Sequence, residues 1–257
     1  MVIGVTRPVY AFHRKVRNAH NVTSRIRSSR WSIAKATWYG SPSGAGSDGG
    51  ACGYQTAVNQ APFSKMVSAG SNSLFASGKG CGACYQVMCT RNQNAACSGK
   101  PVTVVITDQC PGCESTHFDL SGTAFGAMAK FNKGQQLRNA GTFNIQYRRV
   151  SCNYRRNTLT FQVDSGANPH YFSVLIKYEN GDGSLSKVEL KESNSMLWKP
   201  MQQSWGAIWK VNSGSPLRAP LSLKLTSEFG QKIVANKVIP AGWKPGKTYR
   251  SIVNFHN

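Results

Sequence analysis

The chain has 257 residues, 40% of them hydrophobic, and a formal net charge of +21 at neutral pH. This length accommodates one large domain or two smaller ones, each with its own core, and we expect two. The longest aliphatic runs have the length of a strand, so we expect no membrane-spanning segment.

The positive charge is spread along the chain. Residues 1–30 hold seven basic residues and no acid, residues 31–152 hold ten basic and four acidic residues, and residues 153–257 hold fourteen and six. Such a field attracts polyanions, including nucleic acid, anionic membrane surfaces and acidic polysaccharides. The chain lacks zinc-finger spacing, a basic region with heptads and a ribonucleoprotein motif, so we expect no nucleic-acid partner.

The cysteine pattern indicates an oxidising compartment. All eight cysteines precede residue 153, and an even number crowded into one half predicts a disulfide framework in a secreted protein. A cytosolic protein with free thiols is the alternative. Asn21 lies in an N-V-T glycosylation sequon, which has meaning only in a secreted chain. A signal peptide is not evident, so we interpret residues 1–30 as a basic N-terminal segment, either disordered or an unusual leader.

The first half of the chain reads as mostly β structure. Residues 38–53 contain six glycines and no periodicity, which predicts a long loop, and loops of this length usually bind something. Strands are predicted at 84–89, 102–107 and 142–150. One helix is clearly predicted, capped by Ser121 and running to about Phe131, in a mostly β domain with small helical insertions.

After residue 152 the apolar residues alternate regularly. Short strands with turn residues between them predict an antiparallel sandwich of about one hundred residues. We therefore expect a domain at 31–152, a linker at 153–156 and a sandwich domain at 157–257. Tyr171 has the opposite strand parity to its apolar neighbours and should point away from the core. Trp198 and Trp209 suit either the core or a binding surface.

Seven short motifs together resemble the plant β-expansins. They follow one another over residues 31 to about 255, in an order and spacing that make the match specific. The motifs are ATWYG (36–40), GGACGY (49–54), GKGCGACYQV (78–87), HFDLSG (117–122), RRVSC (148–152), NPHYF (168–172) and WKPMQQSWGAIW (198–209).

The resemblance implies a mostly β fold: a six-stranded double-psi β-barrel similar to family 45 glycoside hydrolases, followed by an immunoglobulin-like β-sandwich that binds polysaccharide. It also implies secretion to the cell wall and wall loosening without hydrolysis. The implied disulfides are Cys52 with Cys81, Cys84 with Cys152 and Cys89 with Cys97, which leaves Cys110 for Cys113.

The segment 107–122 concentrates cysteines, a histidine and acids. Cys81/Cys84 and Cys110/Cys113 form two C-x-x-C pairs. A zinc ribbon is disfavoured because 25 residues separate these pairs and because Cys89 and Cys97 lie between them. A redox site is disfavoured because Pro111 and Gly112 predict a turn where a helix should begin. We therefore expect a structural staple, with no metal and no cofactor.

By resemblance, Asp119 matches the general acid of the hydrolases, and Asp108 lies beside it at a strand end. Asp119 could instead cap the helix near Ser121. An inverting hydrolase also needs a base about 6.5 to 9.5 Å from its acid. Residues 31–47 contain no acid. Asp48 lies in the glycine loop, where the position of its carboxylate would be poorly fixed.

Sugar binding requires flat aromatic faces and hydrogen-bonding groups. The candidates in the first domain are Thr37, Trp38, Tyr39, Asp48 and His117, and those in the second are Tyr171 and Trp205.

These patterns favour a secreted, monomeric, non-enzymatic wall-loosening protein that binds cellulose, glucuronoarabinoxylan and pectin. A glycoside hydrolase or transglycosylase using Asp119 is one alternative. A carbohydrate-binding allergen-like or defence protein is the other.

Overall fold

The computed structural model describes residues 30–256. The Asn21 sequon and almost all of the basic N-terminal segment therefore lie outside the described residues. Two β domains follow one another along the chain, which confirms a mostly β fold with a closed six-stranded barrel and a second β domain. Among the described residues, no helix is both long and apolar enough to span a bilayer.

Six strands close the barrel in the order β1-β5-β2-β4-β3-β6. The strand β1 pairs in parallel with β5 and antiparallel with β6, and β2 pairs in parallel with β4. Alternate side chains of each strand fill the interior, which is why Ala36 and Phe118 are fully buried while Thr37 and Asp119 face outward. The strands are β1 (Ser32–Tyr39), β2 (Val67–Gly70), β3 (Cys84–Met88), β4 (Val102–Gln109), β5 (His117–Ser121) and β6 (Phe143–Arg149).

Three short α-helices, α1 (Asn72–Phe75), α2 (Gly122–Ala127) and α3 (Gly134–Arg138), and two 3-10 turns, 55–59 and 76–78, decorate the barrel. The predicted cap is confirmed, since the Ser121 hydroxyl accepts a hydrogen bond from the Ala124 N–H. The predicted helix end at Phe131 is wrong. The amide of Met128 bonds only three residues back, to Phe125, and the helix stops there.

The sandwich consists of a four-stranded and a five-stranded antiparallel sheet. The predicted alternation is confirmed in its core, where Phe161, Phe172, Val174 and Leu223 are fully buried between the sheets. The first sheet has the order β10-β9-β13-β14 and the second the order β11-β12-β8-β7-β15. The strands are β7 (Thr160–Val163), β8 (Tyr171–Lys177), β9 (Leu185–Lys191), β10 (Lys199–Pro200), β11 (Gln202–Trp205), β12 (Ile208–Asn212), β13 (Leu221–Ser227), β14 (Lys232–Ile239) and β15 (Thr248–Arg250).

An aromatic cluster joins the two domains. Phe63 of the barrel lies 5.1 Å from the ring of Tyr54 and 5.1 Å from that of Tyr178, and 5.9 Å from the ring of Tyr154. Tyr154 belongs to the predicted linker but is buried in this cluster. Because the connecting residues pack into a shared apolar core, the linker does not act as a free tether between the domains.

Four disulfides form, with the pairing that the resemblance implies: Cys52–Cys81, Cys84–Cys152, Cys89–Cys97 and Cys110–Cys113. The last one closes the C-P-G-C turn, as expected for a structural staple. Within residues 30–256, no cysteine is free and no cluster of three or more His, Cys, Asp or Glu side chains could hold a metal ion.

Truncating the central ring of the aromatic cluster should loosen the connection between the domains. Phe63→Ala removes a fully buried phenyl group and leaves a cavity between three tyrosines, so we expect a loss of about 3 to 5 kcal/mol in the free energy of unfolding. Differential scanning calorimetry should show the unfolding transition falling in temperature and separating into two steps. Phe131→Ala, at a ring that is 91% exposed, is the matched control and should change stability little. A Phe63→Ala transition that matches the control would contradict this account of the interface.

Candidate functional site

A row of side chains crosses four neighbouring strands on the outer face of the barrel. Thr37 on β1 pairs with Asp119 on β5, and Asp119 pairs in turn with Ala69 on β2, which pairs with Asp108 on β4. At about 4.8 Å between strands, the two aspartates have Cα atoms roughly 10 Å apart. The structure therefore brings Thr37, Asp108 and Asp119 to one surface, with a small residue between the two acids.

The Thr37 hydroxyl links His117 to Asp119. It donates a hydrogen bond to Oδ1 of Asp119 at 2.6 Å and lies 2.8 Å from Nε2 of His117. A hydroxyl has one proton, so a Thr37 that donates to Asp119 accepts from His117. This network assigns the Nε2–H tautomer to His117 and makes Oδ1 of Asp119 an acceptor.

Burial sets the protonation of this pair. Desolvation raises the pKa of Asp119 above the usual aspartate value, an effect that the Thr37 hydrogen bond and His117 partly offset and that Asp108 adds to. Desolvation lowers the pKa of His117, and Asp119 acts against this shift while Lys35 adds to it. The site therefore favours an uncharged imidazole and a carboxyl that keeps its proton to higher pH than usual.

The Asp108 carboxylate is hydrogen-bonded to the glycine loop. Its Oδ1 accepts hydrogen bonds from the backbone N–H groups of Ala51 at 2.7 Å and Gln109 at 2.8 Å, while Oδ2 lies 3.4 Å from the Tyr39 hydroxyl. Burial, followed by the charges of Asp108 and Asp119, raises the pKa of Tyr39, so this phenol remains a proton donor. Sequence reasoning placed Asp108 beside Asp119 but did not identify these partners.

The glycine loop packs closely against Tyr39. A Cβ at Gly46 would lie 2.3 Å from Cζ of Tyr39, and Gly46 has a positive φ of 87°, so glycine is required there. Asp48, also in this loop, is exposed and accepts a hydrogen bond from the Nδ2 of Asn59. This bond ties Asp48 to the 3-10 turn 55–59 and not to the Thr37–Asp119 pair.

Trp38 does not share the face of Thr37 and Tyr39. Alternation along β1 turns it toward the barrel interior, where it packs against the apolar core, and its indole N–H donates to the carbonyl of Arg138 at 3.0 Å. The expectation that Trp38 lines the same surface as its neighbours is corrected accordingly, because adjacent residues of a strand point in opposite directions.

The five-stranded sheet contributes the aromatic residues predicted in the second domain. Its face away from the sandwich core holds Tyr171, half-buried at the start of β8, and Trp205, which is 50% exposed on β11. The Trp205 ring lies against the barrel, 3.0 Å from where a Cβ at Gly53 would stand. This contact makes the sheet face continuous with the glycine loop.

The two tryptophans that the sequence left open have different places. Trp209 is buried in the sandwich core. Trp198 directly precedes β10 and is half-buried against the four-stranded sheet, where Lys224 and Lys191 lie 4.6 and 5.1 Å from its ring centroid. Neither one lies on the face of Tyr171 and Trp205.

Removing the Thr37 hydroxyl should raise the Asp119 pKa further. The hydroxyl stabilises the ionised carboxylate by donating to it, so Thr37→Val removes a contribution that lowers the pKa and leaves burial to dominate. The carboxyl ¹³C shift followed against pH should show Asp119 titrating above the usual aspartate range in the unmodified protein and higher still in Thr37→Val. Thr103→Val, on the exposed side of β4, is the control and should leave the titration in place. An Asp119 pKa that stays put or falls in Thr37→Val would be the contrary result.

Two family models match separate parts of the chain. Residues 159–240 match the expansin C-terminal domain, and residues 67–147 match a barrel family described as lytic transglycolase. The latter match agrees with the double-psi barrel that the resemblance implied.

Individual proteins match over most of the chain. A putative expansin-B2 of Arabidopsis thaliana is 63% identical over 91% of this chain and 87% of its own, and expansin-B11 of rice is 56% identical over 97% and 85%. Among solved structures, the Clavibacter michiganensis expansin, apo and as a mutant complexed with cellohexaose, aligns at 24% identity with TM-scores of 0.66 and 0.67, covering 89% of this chain and 99% of that one. The chain belongs to the expansin family and, within it, to the expansin-B proteins of plants.

Proposed function

We propose that this protein is a secreted, non-enzymatic wall-loosening protein. Its barrel surface and sandwich face bind cellulose and matrix polysaccharides, including glucuronoarabinoxylan and pectin, and separate them from one another without cutting them. Four disulfides suit an extracellular protein, and the basic surface suits acidic matrix glycans. We propose that it acts as a monomer.

The outer barrel surface that carries Thr37, Asp108 and Asp119 is the groove of this proposal. The observation that carries the proposal is that its two acids, Asp119 and Asp108, have different environments. Asp119 has a raised pKa and one oxygen held by Thr37, as a proton donor needs. Asp108 instead accepts a backbone hydrogen bond from Ala51 that fastens the glycine loop and a second one from its own neighbour Gln109, and Asp48 is tied to Asn59. A general base must have an oxygen that can orient and deprotonate water, and an acid with Oδ1 on the loop backbone and Oδ2 facing the Tyr39 hydroxyl is poorly suited to that task.

The aromatic face supports polysaccharide binding. Trp205 pairs across the sheet with Ile208, which pairs with Leu175, four residues along β8 from Tyr171. Strand geometry then separates the Cα atoms of the two residues by about 14 Å along the strands and about 10 Å across them. Pyranose rings have apolar C–H faces that stack on aromatic rings, so two rings so spaced suit an extended glycan better than a single sugar. The cellohexaose complex of the Clavibacter protein supports this kind of ligand.

Binding alone can loosen a wall if it discriminates between states. A protein that binds separated chains more tightly than packed ones shifts the equilibrium toward separation by its differential affinity. Such action requires no turnover and no cofactor.

Hydrolysis or transglycosylation with Asp119 as general acid is the second candidate. It is favoured by the raised pKa of Asp119 and by the barrel's match to the family described as lytic transglycolase. The third is a carbohydrate-binding allergen-like or defence protein, which would bind glycans and leave the wall unchanged.

Loss of the two exposed rings should abolish binding to insoluble polysaccharide. Tyr171→Ala combined with Trp205→Ala removes both stacking surfaces, and the loss of about 1 kcal/mol or more of apolar contact per ring implies at least a tenfold weaker retention on cellulose or xylan. Pull-down isotherms on insoluble cellulose and xylan would measure this retention. Phe229→Ala, at an exposed ring in the turn of the opposite sheet, is the matched control and should bind normally. Equal retention of the double variant and the control would remove the aromatic face from the proposal.

Extension and bond cleavage should separate when measured on one wall specimen. Heat-inactivated wall strips held under load should creep when the purified protein is added, while released reducing sugar stays at the level of buffer alone. Creep accompanied by sugar release that disappears in Asp119→Asn would establish the hydrolase instead. Polysaccharide binding without creep would favour the binding protein.

A further inference from the structure

An apolar pocket lies at the end of the sandwich that points away from the barrel. Its lining comes from three segments: 167–169, which precedes β8, 217–219, which precedes β13, and 241–245, which follows β14. The opposite end of β8 leads into residues 179–183, which are buried against the barrel. The pocket has a volume of about 450 Å³, which is within the range of small-ligand sites.

The pocket contains the fixed indole ring of Trp243. This ring is half-buried and meets the fully buried Phe172 edge to face, with 5.5 Å between the ring centroids. The amide of Trp243 donates to the carbonyl of Pro240, and the amide of Leu217 donates to that of Pro169, so the segments that line the pocket are tied down. A flat ring held in this way offers a second ring a place to stack.

The lining is uncharged and nearly free of polar side chains. Within residues 30–256, no Asp, Glu, Lys, Arg or His lines this pocket. Asn168 is the one lining residue with a side-chain amide, and its Oδ1 already accepts from the backbone N–H groups of His170 at 2.9 Å and Tyr171 at 3.1 Å. A pyranose carries hydroxyls around its whole edge, and several of them would leave water here without gaining a partner. The lining therefore favours a neutral aromatic ring over a sugar ring.

The pocket adjoins the aromatic face to which the proposed function assigns the glycan. Asn168 and Tyr171 exchange two backbone hydrogen bonds, of 2.8 and 3.1 Å. A line from Trp205 on β11 to Tyr171 on β8 runs across the sheet and toward the start of β8. Continued past Tyr171 it leads to the segment 241–245, because Val163, at the end of the next strand β7, is hydrogen-bonded to the residues just after that segment. A glycan laid along the two rings is thus directed at the pocket.

We propose that this pocket binds a neutral aromatic ring that a glycan carries as an ester or ether substituent. The ring would stack on Trp243 and contact Leu217 and Pro169, while the sugar units lie on Tyr171 and Trp205. The inference rests on the proposed function for the placement of the glycan, but the pocket itself uses neither the rings of the aromatic face nor the groove acids. A free aromatic molecule offers the same ring, and the two sources differ in whether the sugar adds affinity.

Titration calorimetry on the full chain with small probes tests the pocket. Methyl benzoate presents a flat neutral ring with an ester, and methyl cyclohexanecarboxylate has nearly the same size without the flat ring. We expect methyl benzoate to bind at least fivefold more tightly than the cyclohexane compound, and cellobiose not to compete with it. Equal binding of the two esters would overturn the role of ring stacking, and competition by cellobiose would overturn the preference for an aromatic ring. If methyl benzoate does not bind, the site does not exist.

Variants locate the binding. Ala241 is exposed among the lining residues, so Ala241→Phe adds a ring where the ligand would lie and should weaken methyl benzoate binding about tenfold or more. Ala140→Phe adds the same ring at an exposed alanine of the barrel and should leave the affinity within about twofold. Unchanged affinity in Ala241→Phe, or an equal loss in both variants, would overturn the site. If Ala241→Phe fails to fold, Trp243→Leu should weaken binding at least threefold because the stacking surface is lost, and unchanged affinity would then count against the pocket.

The carrier of the ring is tested with cellohexaose and with cellohexaose that bears one benzoate ester on an end unit. We expect the esterified form to bind at least tenfold more tightly than plain cellohexaose or methyl benzoate, and Ala241→Phe to remove the advantage over plain cellohexaose. Equal affinity of the esterified and plain forms would overturn the glycan as the carrier. Because methyl benzoate needs neither Tyr171 nor Trp205, its binding can persist when retention on cellulose fails, so failure of the pocket and failure of the proposed function are distinguishable.

Discussion

The arrangement of the groove depends on the hydrogen bond from the Ala51 N–H to Asp108. It is a charge-assisted bond of 2.7 Å between an acid at the end of a barrel strand and a loop with little regular structure of its own. Gly46, earlier in the same loop, packs against the ring of Tyr39. Cys52 and Gly53, which follow Ala51, reach the second domain. The Asp108 carboxylate thus fixes both the glycine loop beside the groove and the start of the domain junction. Because it serves this structural role, it is less available as a catalytic base.

The junction carries that constraint into the sandwich. The carbonyl of Cys52 accepts a hydrogen bond from Ala207, and a Cβ at Gly206 would lie 2.5 Å from the carbonyl oxygen of Ala51. Residues 206–207 form the turn that connects β11, which carries Trp205, to β12. Because the glycine loop and this turn touch backbone to backbone, the exposed tryptophan has a fixed place relative to Asp119. Such rigidity favours binding in a groove shared by two domains, because a flexible junction would lose conformational entropy each time a glycan bound.

Local patterns predicted the strands and the core, because alternation of side chains is a property of a few neighbouring residues. Alternation placed Phe172 inside and Tyr171 outside. The same rule applied to β1 would have turned Trp38 inward, away from Thr37 and Tyr39. Ser121 was recognisable as a cap for the same reason, since its partner lies three residues ahead. The helix end near Met128 was not, because the sequence to Phe131 contains no strong breaker. For the candidate site, the motifs supplied the residues but not their pairing.

What the sequence could not supply depends on contacts between distant segments. Asp108 and Ala51 are 57 residues apart, and Arg148 and Gln86 are 62 apart. The segment 179–183, E-N-G-D-G, has the composition of a turn between strands, yet the structure buries it against the barrel, where burial raises the pKa of Glu179 to about 8. Turn residues are usually solvated, and these are covered only because a second domain packs over them.

Under the proposed function, the energetics of sugar binding would explain how this surface separates glycans. Hydrogen bonds from Thr37, His117 or Asp119 to a sugar hydroxyl would replace hydrogen bonds to water, so each would give a small net gain. Stacking on Tyr171 and Trp205 would remove apolar C–H faces from water and supply most of the affinity. Packed glycans hold one another through these same two kinds of contact. A protein face that presents rings for stacking and polar groups for hydroxyls therefore competes with a neighbouring glycan on nearly equal terms, and chains that are already strained or partly separated are the ones it can capture.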